Sequence, residues 1–510
     1  MAGRKKPLRH DKNFFKKNRY LLIFILVYII ISLLHFDAKL FSGGDNAIYI
    51  ILTESIVSGQ GYKDMYLPEE PPHTQYPFGF PLLLSLPLLI FGRNLIILKL
   101  LVILTGLVSF IFVYLIAKSL FKDKTYIVML FYLSMPIPYV YNARILTEIP
   151  FMCFSLGAIY FFIKARKDNT LFYYISFILA IYAFFIRTAG ISLIIAMMLL
   201  LIFRKQYKYF AIFLLAFLAV FLPWQIRSVH ISREVSYIDQ LLAKNPYEMA
   251  LGRANFFDFL IRAWRNFILY AFMLLPKMLA SIILSRLIAV ILGIIFVVLM
   301  VIGFLKKIKR FSVIEMYFIF STIIILLWPR IWSSERFLLP VLPFVVYYVF
   351  DGLLSIAKKI RFEHLSSVVI GILVLTNFVA IILYSRGTIR ANMNYLKGDR
   401  YAGYPDDWRN FFTVIEWVGD NIPSDKVVMA RKPEFVYLLS GRKSLTYPIT
   451  NDHLRVKEAI RQCDYIIIDN FYGAPAARLW LIPVLEQEQE NYRQIFKTKI
   501  PEFFLLKIIQ

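Results

Sequence analysis

The sequence predicts a polytopic α-helical membrane protein that carries a small α/β domain at its C-terminal end. Of the 510 residues, 59% are hydrophobic and only 18% are charged, and the mean hydropathy is +0.63. Because a soluble fold must cover itself with polar surface, most of the chain cannot be soluble. Apolar runs near the length that crosses a bilayer, about 20 residues, follow one another along the chain, and only the C-terminal part has a soluble composition.

Eleven apolar runs are predicted to span the membrane. They cover residues 19–38, 94–120, 125–142, 147–164, 170–186, 189–204, 208–226, 283–305, 312–329, 336–352 and 365–384. The connections KSLFKDK, KARKDN, RKQYK, KKIKR and KKIRFEH fall at every second gap and are basic, as is the N-terminus. Because cytoplasmic loops are enriched in Lys and Arg, this alternation predicts a cytoplasmic N-terminus and an external C-terminus. A bacterial plasma (inner) membrane is the expected location.

The domain organisation follows from the same pattern. Residues 1–18 are predicted to be a basic cytoplasmic N-terminus, residues 19–384 the membrane domain, and residues 385–510 the extracytoplasmic α/β domain, where helical and strand periods alternate. The first outer loop, residues 39–93, contains the short run FGFPLLLSLPLLIFG, which two prolines interrupt. We interpret this run as an interfacial helix, and expect a similar half-buried segment at NFFDFLIRAWRNFILYAFMLL.

Several functional classes lack support. The net charge of +25 is spread in small groups between apolar segments rather than gathered on one domain, so no nucleic-acid partner is expected. Cys153 and Cys463 lie in different segments and are interpreted as packing residues. The sequence contains no Walker-type glycine loop, no GxSxG elbow and no zinc motif, so neither nucleotide use nor serine hydrolysis is supported.

Acids and arginines from separate loops converge on the outer membrane face. They are Asp45 and Glu54 in the first outer loop, Arg144 and Glu148 in YNARILTEIP, Arg187 in FIRTAG, and Arg330, Glu335 and Arg336 in WPRIWSSERFLLP. Transfer of a sugar from a lipid phosphate needs such a set, because the acceptor hydroxyl requires a carboxylate base and the departing phosphate requires cations. Arginine suits the phosphate, since its guanidinium binds in a bidentate fork.

Other interpretations are open at the level of sequence. Loop carboxylates and arginines are often merely solvated or paired. Arg187 in particular has a structural alternative, in which it pairs with an acid such as Glu148 or caps helix carbonyls. His73 has no second histidine near it, so a hydrogen bond within the loop is an alternative to substrate binding. A transporter or flippase of lipid-linked sugars would also have many spans, but transporters place polar residues near the midplane and show internal repeats. A structural subunit would leave the loop acids without a role.

The ordered pieces GGDNAIYIILTESIVSGQGY, YPFGFPLLLSLPLLIFG, RILTEIPFMCF, FIRTAG and ERFLLPVLPF resemble the GT-C superfamily of polyprenyl-phosphate-sugar glycosyltransferases. The resemblance is to the branch with protein O-mannosyltransferases and the lipid A aminoarabinose transferase. It implies a GT-C fold, a polyprenyl-phosphate sugar donor, contact with membrane lipids and an acceptor that the sequence does not identify. It also implies that Asp45 and Glu148 are catalytic, and that the piece from Tyr76 to Phe80 begins the interfacial helix.

Two departures from the family pattern bear on the site. Asp45 is followed by Asn46 rather than by a second acid, which argues against a two-carboxylate metal site within that loop. A divalent ion (Mg²⁺, Mn²⁺ or Ca²⁺) held by Asp45 and Glu148 is left as an open alternative. The lysine that often begins the proline segment is also missing, so His73 or Arg187 would have to contact phosphate. The expected phosphate ligands are Arg187, Arg144 and Arg336, and the weaker substrate-binding candidates are His73, Tyr76 and Glu335.

Overall fold

The computed structural model describes residues 12–43, 45–165, 169–231, 237–248, 251–281, 285–309, 311–362 and 364–509, and most of them are helical. Residues 1–11 of the basic N-terminus and the first two residues of the predicted span 283–305 lie outside the described residues.

The described membrane region contains seventeen α-helices in chain order. They are α1 (Lys12–Leu34), α2 (Asn46–Val57), α3 (Gly79–Phe91), α4 (Leu95–Phe121), α5 (Thr125–Ser134), α6 (Pro136–Asn142), α7 (Glu148–Lys164), α8 (Leu171–Ile186), α9 (Ile191–Phe203), α10 (Tyr207–Ile231), α11 (Tyr237–Leu242), α12 (Phe256–Leu269), α13 (Leu275–Leu279), α14 (Arg286–Ile308), α15 (Val313–Leu327), α16 (Leu342–Lys359) and α17 (Leu365–Leu396).

The predicted polytopic helical architecture is confirmed, and every predicted run contains helix. Six helical segments among the described residues are long and apolar enough to cross a membrane, and shorter apolar helices accompany them. Several boundaries differ from the prediction. The run 125–142 is divided between α5 and α6, because Pro136 cannot continue the preceding hydrogen-bond ladder. Helix α16 begins at Leu342 rather than at residue 336, and α17 continues to Leu396, so the boundary predicted at 385 falls inside a helix.

Both segments expected to be half-buried are helical. Helix α3 buries Phe80, Leu84 and Leu88 on one side and exposes a row of leucines on the other. Helix α12 begins with a capping box formed by Asn255 and Asp258 and continues through a π-helical turn, Tyr270–Leu274, into α13. The whole segment Phe256–Leu279 is also apolar enough to be a candidate span, which the sequence-based count of about eleven does not include.

The C-terminal domain is the predicted small α/β unit. Its helices are α18 (Asp406–Asn421), α19 (Pro433–Ser440), α20 (His453–Ile460) and α21 (Ile482–Leu485), and its strands are β1 (Val428–Met429), β2 (Ser444–Leu445), β3 (Tyr465–Ile468), β4 (Tyr492–Lys497) and β5 (Phe504–Ile508). The strands form one sheet in the order β2-β1-β3-β5-β4. Strands β2, β1 and β3 are parallel, and β5 pairs antiparallel with β3 and β4.

Direct hydrogen bonds fasten the C-terminal domain to the first outer loop. The Arg93 guanidinium donates to the Leu438 carbonyl oxygen at 2.6 Å, and the Ser444 N–H donates to the Tyr66 carbonyl oxygen at 2.8 Å. The Lys443 ammonium pairs with the Glu70 carboxylate. Because both partners of each bond come from segments more than 300 residues apart, these contacts fix where the domain sits on the membrane region.

Helices α14 and α16 cross with their backbones in contact at two glycines. A Cβ atom on Gly303 would lie 2.0 Å from the Tyr348 carbonyl oxygen, and one on Gly352 would lie 2.0 Å from the Leu299 carbonyl oxygen. No side chain fits in that space, so the absence of a Cβ atom permits the crossing.

We therefore expect Gly303→Ala to destabilise the protein by about 1 to 3 kcal/mol, the usual cost of overpacking. Gly371→Ala is the matched control, because Gly371 lies within α17 and has open space where its Cβ atom would be. Thermal unfolding in detergent of both variants measures the difference. Equal midpoints for the two variants would contradict the close crossing.

Candidate active site

Asp45 is held at the start of α2 by its neighbour rather than by its own side chain. The Asn46 amide donates to the carbonyl oxygens of Phe41 at 2.7 Å and Gly43 at 2.9 Å, and Asn46 is fully buried. This is a donor role that a second carboxylate could not perform, which gives a physical reason for asparagine at this position. The Asp45 carboxylate makes no capping hydrogen bond and is 33% exposed, so it remains accessible to a substrate.

Glu148 and Arg187 form a short buried ion pair. Glu148 is the first residue of α7 and its side chain is 2% exposed, and Arg187 directly follows α8. The Arg187 Nη1 donates to Glu148 Oε1 at 2.6 Å and to the Thr147 hydroxyl at 3.1 Å. The structure therefore matches the structural alternative for Arg187, in which its charge is paired within the protein.

Arg187 is positioned by a close contact between α3 and the end of α8. A Cβ atom on Gly79 would lie 2.5 Å from the Phe185 carbonyl group, so glycine lets the two backbones meet. The Tyr182 hydroxyl donates to the Gly79 carbonyl oxygen at 2.9 Å. Helix α3 thus supports the turn from which Arg187 extends.

Arg336 joins the two acids. Its Nη1 lies 3.6 Å from Asp45 Oδ2, and its Nε lies 3.6 Å from Glu148 Oε1. The guanidinium groups of Arg187 and Arg336 both lie over the ring of Phe337, at 4.9 Å and 5.1 Å from its centroid. We call Asp45, Glu148, Arg187 and Arg336 the charged cluster. Both contacts of Arg336 are longer than a hydrogen bond, so an incoming anion can compete for it.

Arg144 and Glu335 lie next to the charged cluster through Tyr141. The Arg144 guanidinium lies 3.9 Å from the centroid of the Phe41 ring and 4.6 Å from that of Tyr141, and the Tyr141 hydroxyl donates to Glu335 Oε1 at 3.2 Å. Within the described part of the chain, Arg144 has no ion pair with a carboxylate. A cation stacked on aromatic rings keeps its in-plane donors available for an anion.

His73 and Tyr76 contact each other within the segment that joins α2 to α3. His73 is buried, with Nδ1 2.9 Å from Asp64 Oδ1 and Nε2 accepting from the Tyr76 N–H at 2.7 Å. Both ring nitrogens are therefore engaged, as the loop hydrogen-bond alternative for His73 requires. Tyr76 stacks on His73, and its ring centroid lies 5.3 Å from that of Tyr49.

Glu434 is an acid near the charged cluster that the sequence did not indicate. It lies in the first turn of α19, in the C-terminal domain, and its side chain is 17% exposed. Burial raises the pKa of the Glu434 carboxyl above its ordinary value, the Lys432 ammonium opposes that shift, and the negative charge of Asp45 adds to it. The helical period of PEFVYLLSG marks Glu434 as polar, but nothing in the sequence pairs it with Asp45. Thr147 and Phe337 also contact the charged cluster, and no sequence pattern connects either residue with it.

The charged cluster fits a divalent metal ion poorly. Glu148 Oε1 already accepts from Arg187 and faces Arg336, so a metal ion on this carboxylate would be repelled by two guanidinium groups. The described residues contain no group of three or more His, Cys, Asp or Glu side chains arranged to hold a metal ion. We therefore interpret Asp45 and Glu148 without a bound metal ion.

The membrane region and the C-terminal sheet domain together have the GT-C fold of integral membrane proteins. A family model described as dolichyl-phosphate-mannose-protein mannosyltransferase matches residues 75–226. The search of curated proteins found no match.

Solved structures with the same fold cover almost the whole chain. The oligosaccharyltransferase of Archaeoglobus fulgidus, solved with a tethered acceptor peptide, is 13% identical, with a TM-score of 0.58 over 98% of this chain and 75% of that one. ArnT from Cupriavidus metallidurans bound to undecaprenyl phosphate is 9% identical, with a TM-score of 0.57 over 96% and 98%. The apo form of that ArnT is 10% identical, with a TM-score of 0.56 over 96% of this chain and 98% of that one. At these identities the similarity establishes the fold.

Proposed function

We propose that this protein is an inverting glycosyltransferase that moves a sugar from a polyprenyl-phosphate donor to an acceptor hydroxyl on the outer face of the membrane. The acceptor would be a glycan, a lipid or a protein of the cell envelope. The matching family model and the solved GT-C structures support the general class. The observation that carries the proposal is the accessible Asp45 carboxylate, only loosely paired to an arginine and next to further cations.

In the proposed reaction Asp45 accepts the proton of the acceptor hydroxyl as its oxygen bonds to the anomeric carbon. The bond between that carbon and the phosphate oxygen breaks on the opposite side, which inverts the configuration, and polyprenyl phosphate leaves with the electron pair. Arg336 would stabilise the departing phosphate, because its contacts at 3.6 Å leave donors for an anion. Arg144 would be the second phosphate ligand.

Glu148 and Arg187 would act mainly by positioning in this scheme. Their short pair places a fixed negative charge 3.6 Å from the Arg336 Nε and so orients that guanidinium. Arg187 would contact phosphate only with donors other than the Nη1 that binds Glu148. The Glu148 carboxylate also offsets the repulsion between the two guanidinium groups, since Arg187 and Arg336 both lie beside its Oε1 atom.

The donor would arrive from the bilayer and the acceptor from outside it. ArnT from Cupriavidus metallidurans was solved with undecaprenyl phosphate, and the Archaeoglobus fulgidus oligosaccharyltransferase with an acceptor peptide. By analogy we propose a polyprenyl-phosphate sugar as the donor of this protein. Comparing cells with and without the protein tests the function: its loss should remove one sugar from an envelope component and raise the level of a polyprenyl-phosphate sugar, both measured by mass spectrometry. Unchanged envelope components and lipids would contradict the proposal.

We further propose a plasma-membrane location with the charged cluster facing outward. Reporter fusions after Asp123 and Lys309 should then read cytoplasmic, whereas fusions after Lys63, His230 and Gly441 should read external, because the basic connections predict that orientation. Asp168, a further cytoplasmic fusion site, lies outside the described residues. A cytoplasmic signal at Gly441 would contradict the orientation and with it the external site.

A further inference from the structure

The C-terminal domain reaches the charged cluster through the first turn of α19. Helix α19 packs against α2, whose first turn follows Asp45. The Arg93 guanidinium donates to the Glu54 carboxylate on α2 at 2.8 Å and to the Leu438 carbonyl oxygen on α19 at 2.6 Å. At the other end of the two helices, the charge of Asp45 acts on Glu434. The helices therefore lie side by side with their N-terminal ends at the charged cluster.

Two side chains at this end of α19 are only loosely paired. The Lys432 Nζ lies 3.8 Å from Glu434 Oε1, beyond hydrogen-bond distance, and the side chains are 36% and 17% exposed. By contrast, the Lys457 Nζ and the Glu488 Oε1 in the same domain lie 2.6 Å apart, within hydrogen-bond distance. The two side chains are therefore not hydrogen-bonded to each other, and both are partly exposed at the start of α19.

We propose that Glu434 and Lys432 bind the acceptor and hold its reacting hydroxyl beside Asp45. This inference rests on the proposed function and adds a residue pair that the C-terminal domain contributes to the site. Glu434 would accept hydrogen bonds from acceptor hydroxyls, and Lys432 would donate to them. A carboxylate and an ammonium group together suit an acceptor that is uncharged at this point and rich in hydroxyls, such as a sugar residue of an envelope glycan.

The donor phosphate would bind at the arginines rather than at the start of α19. A phosphate at the start of α19 would meet the negative charges of Asp45 and Glu434, whereas Arg336 and Arg144 provide cations on segments of the membrane region. The two substrates therefore approach Asp45 from different elements. This division predicts that changes at α19 affect the acceptor and leave donor binding unchanged.

The test introduces Glu434→Ala and Lys432→Met into the full-length protein in cells that lack the native copy. Each variant should lower the sugar content of the modified envelope component about tenfold, the consequence of losing one charged hydrogen bond. The affinity of the purified variants for undecaprenyl phosphate should stay within about twofold of the wild type. Glu458→Ala is the matched control, since Glu458 is an exposed acid on α20 of the same domain.

The possible outcomes distinguish the inference from its alternatives. Wild-type modification in both variants would overturn the inference, and so would weakened binding of undecaprenyl phosphate. If Glu434→Ala lowers the thermal stability, Lys432→Met decides alone, because Lys432 is the more exposed of the pair. Cells that lack the protein separate the two proposals. If the envelope component is modified normally in those cells, the proposed function fails. If the modification is lost there and both α19 variants restore it fully, only the acceptor inference fails.

Discussion

Asp45→Asn should abolish sugar transfer while leaving expression and lipid binding close to wild type. The substitution removes the proton acceptor without changing the side-chain volume, and a general base typically contributes about a hundredfold to ten-thousandfold in rate. The backbone conformation at this position depends on the Asn46 amide rather than on the Asp45 carboxylate, so the loop should remain in place. Transfer to the envelope component and affinity for undecaprenyl phosphate are the two measurements.

Asp123→Asn is the matched control for this prediction. Asp123 is an exposed acid in the connection between α4 and α5, and the same atoms change there. We expect wild-type transfer from Asp123→Asn. Wild-type transfer from Asp45→Asn would reject Asp45 as the base, and weaker undecaprenyl phosphate binding with normal transfer would assign it to the donor instead.

The sequence predicted the members of the charged cluster but not how they pair. The four members of the charged cluster come from four separate segments: Asp45, Glu148, Arg187 and Arg336. The alternation of basic connections is enough to predict that all four lie at the same membrane face. Which arginine pairs with which acid depends on distances of about an ångström. Those distances follow from backbone contacts such as Gly79 against Phe185, which hydropathy does not encode.

Glu434 shows a second limit of sequence reasoning. Its place beside Asp45 depends on how the C-terminal domain docks, and bonds such as that from Arg93 to Leu438 join residues far apart in the chain. No local pattern carries that information. A related limit applies to α17, whose hydropathy falls after residue 384 while the helix continues, because the Asn392 amide donates to the Phe36 carbonyl oxygen at 2.6 Å and holds the polar end in place.

Breaking the Glu148–Arg187 pair should have the second large effect, because it should lower both the stability of the protein and the rate of sugar transfer. Glu148→Gln leaves Arg187 and Arg336 facing a neutral amide in a site where the Glu148 side chain is only 2% exposed. Removing one partner of a buried pair typically costs on the order of 3 kcal/mol, because the other charge stays buried without compensation. We therefore expect a clear fall in the thermal unfolding midpoint in detergent, together with loss of transfer as Arg336 loses the charge that orients it.

A double-mutant cycle measures the interaction between Glu148 and Arg187 separately from the effect of each single substitution. Arg187→Gln alone should also destabilise the protein, since it leaves the Glu148 carboxylate buried with only the more distant Arg336 as a counter-charge. The double variant Glu148→Gln/Arg187→Gln should be more stable than the sum of the single effects predicts, because neither charge is then left alone and the two amides can hydrogen-bond. Additive losses would contradict the pairing. If Arg187→Gln instead weakened undecaprenyl phosphate binding without lowering stability, Arg187 would be a phosphate ligand, and Glu148 alone would orient Arg336.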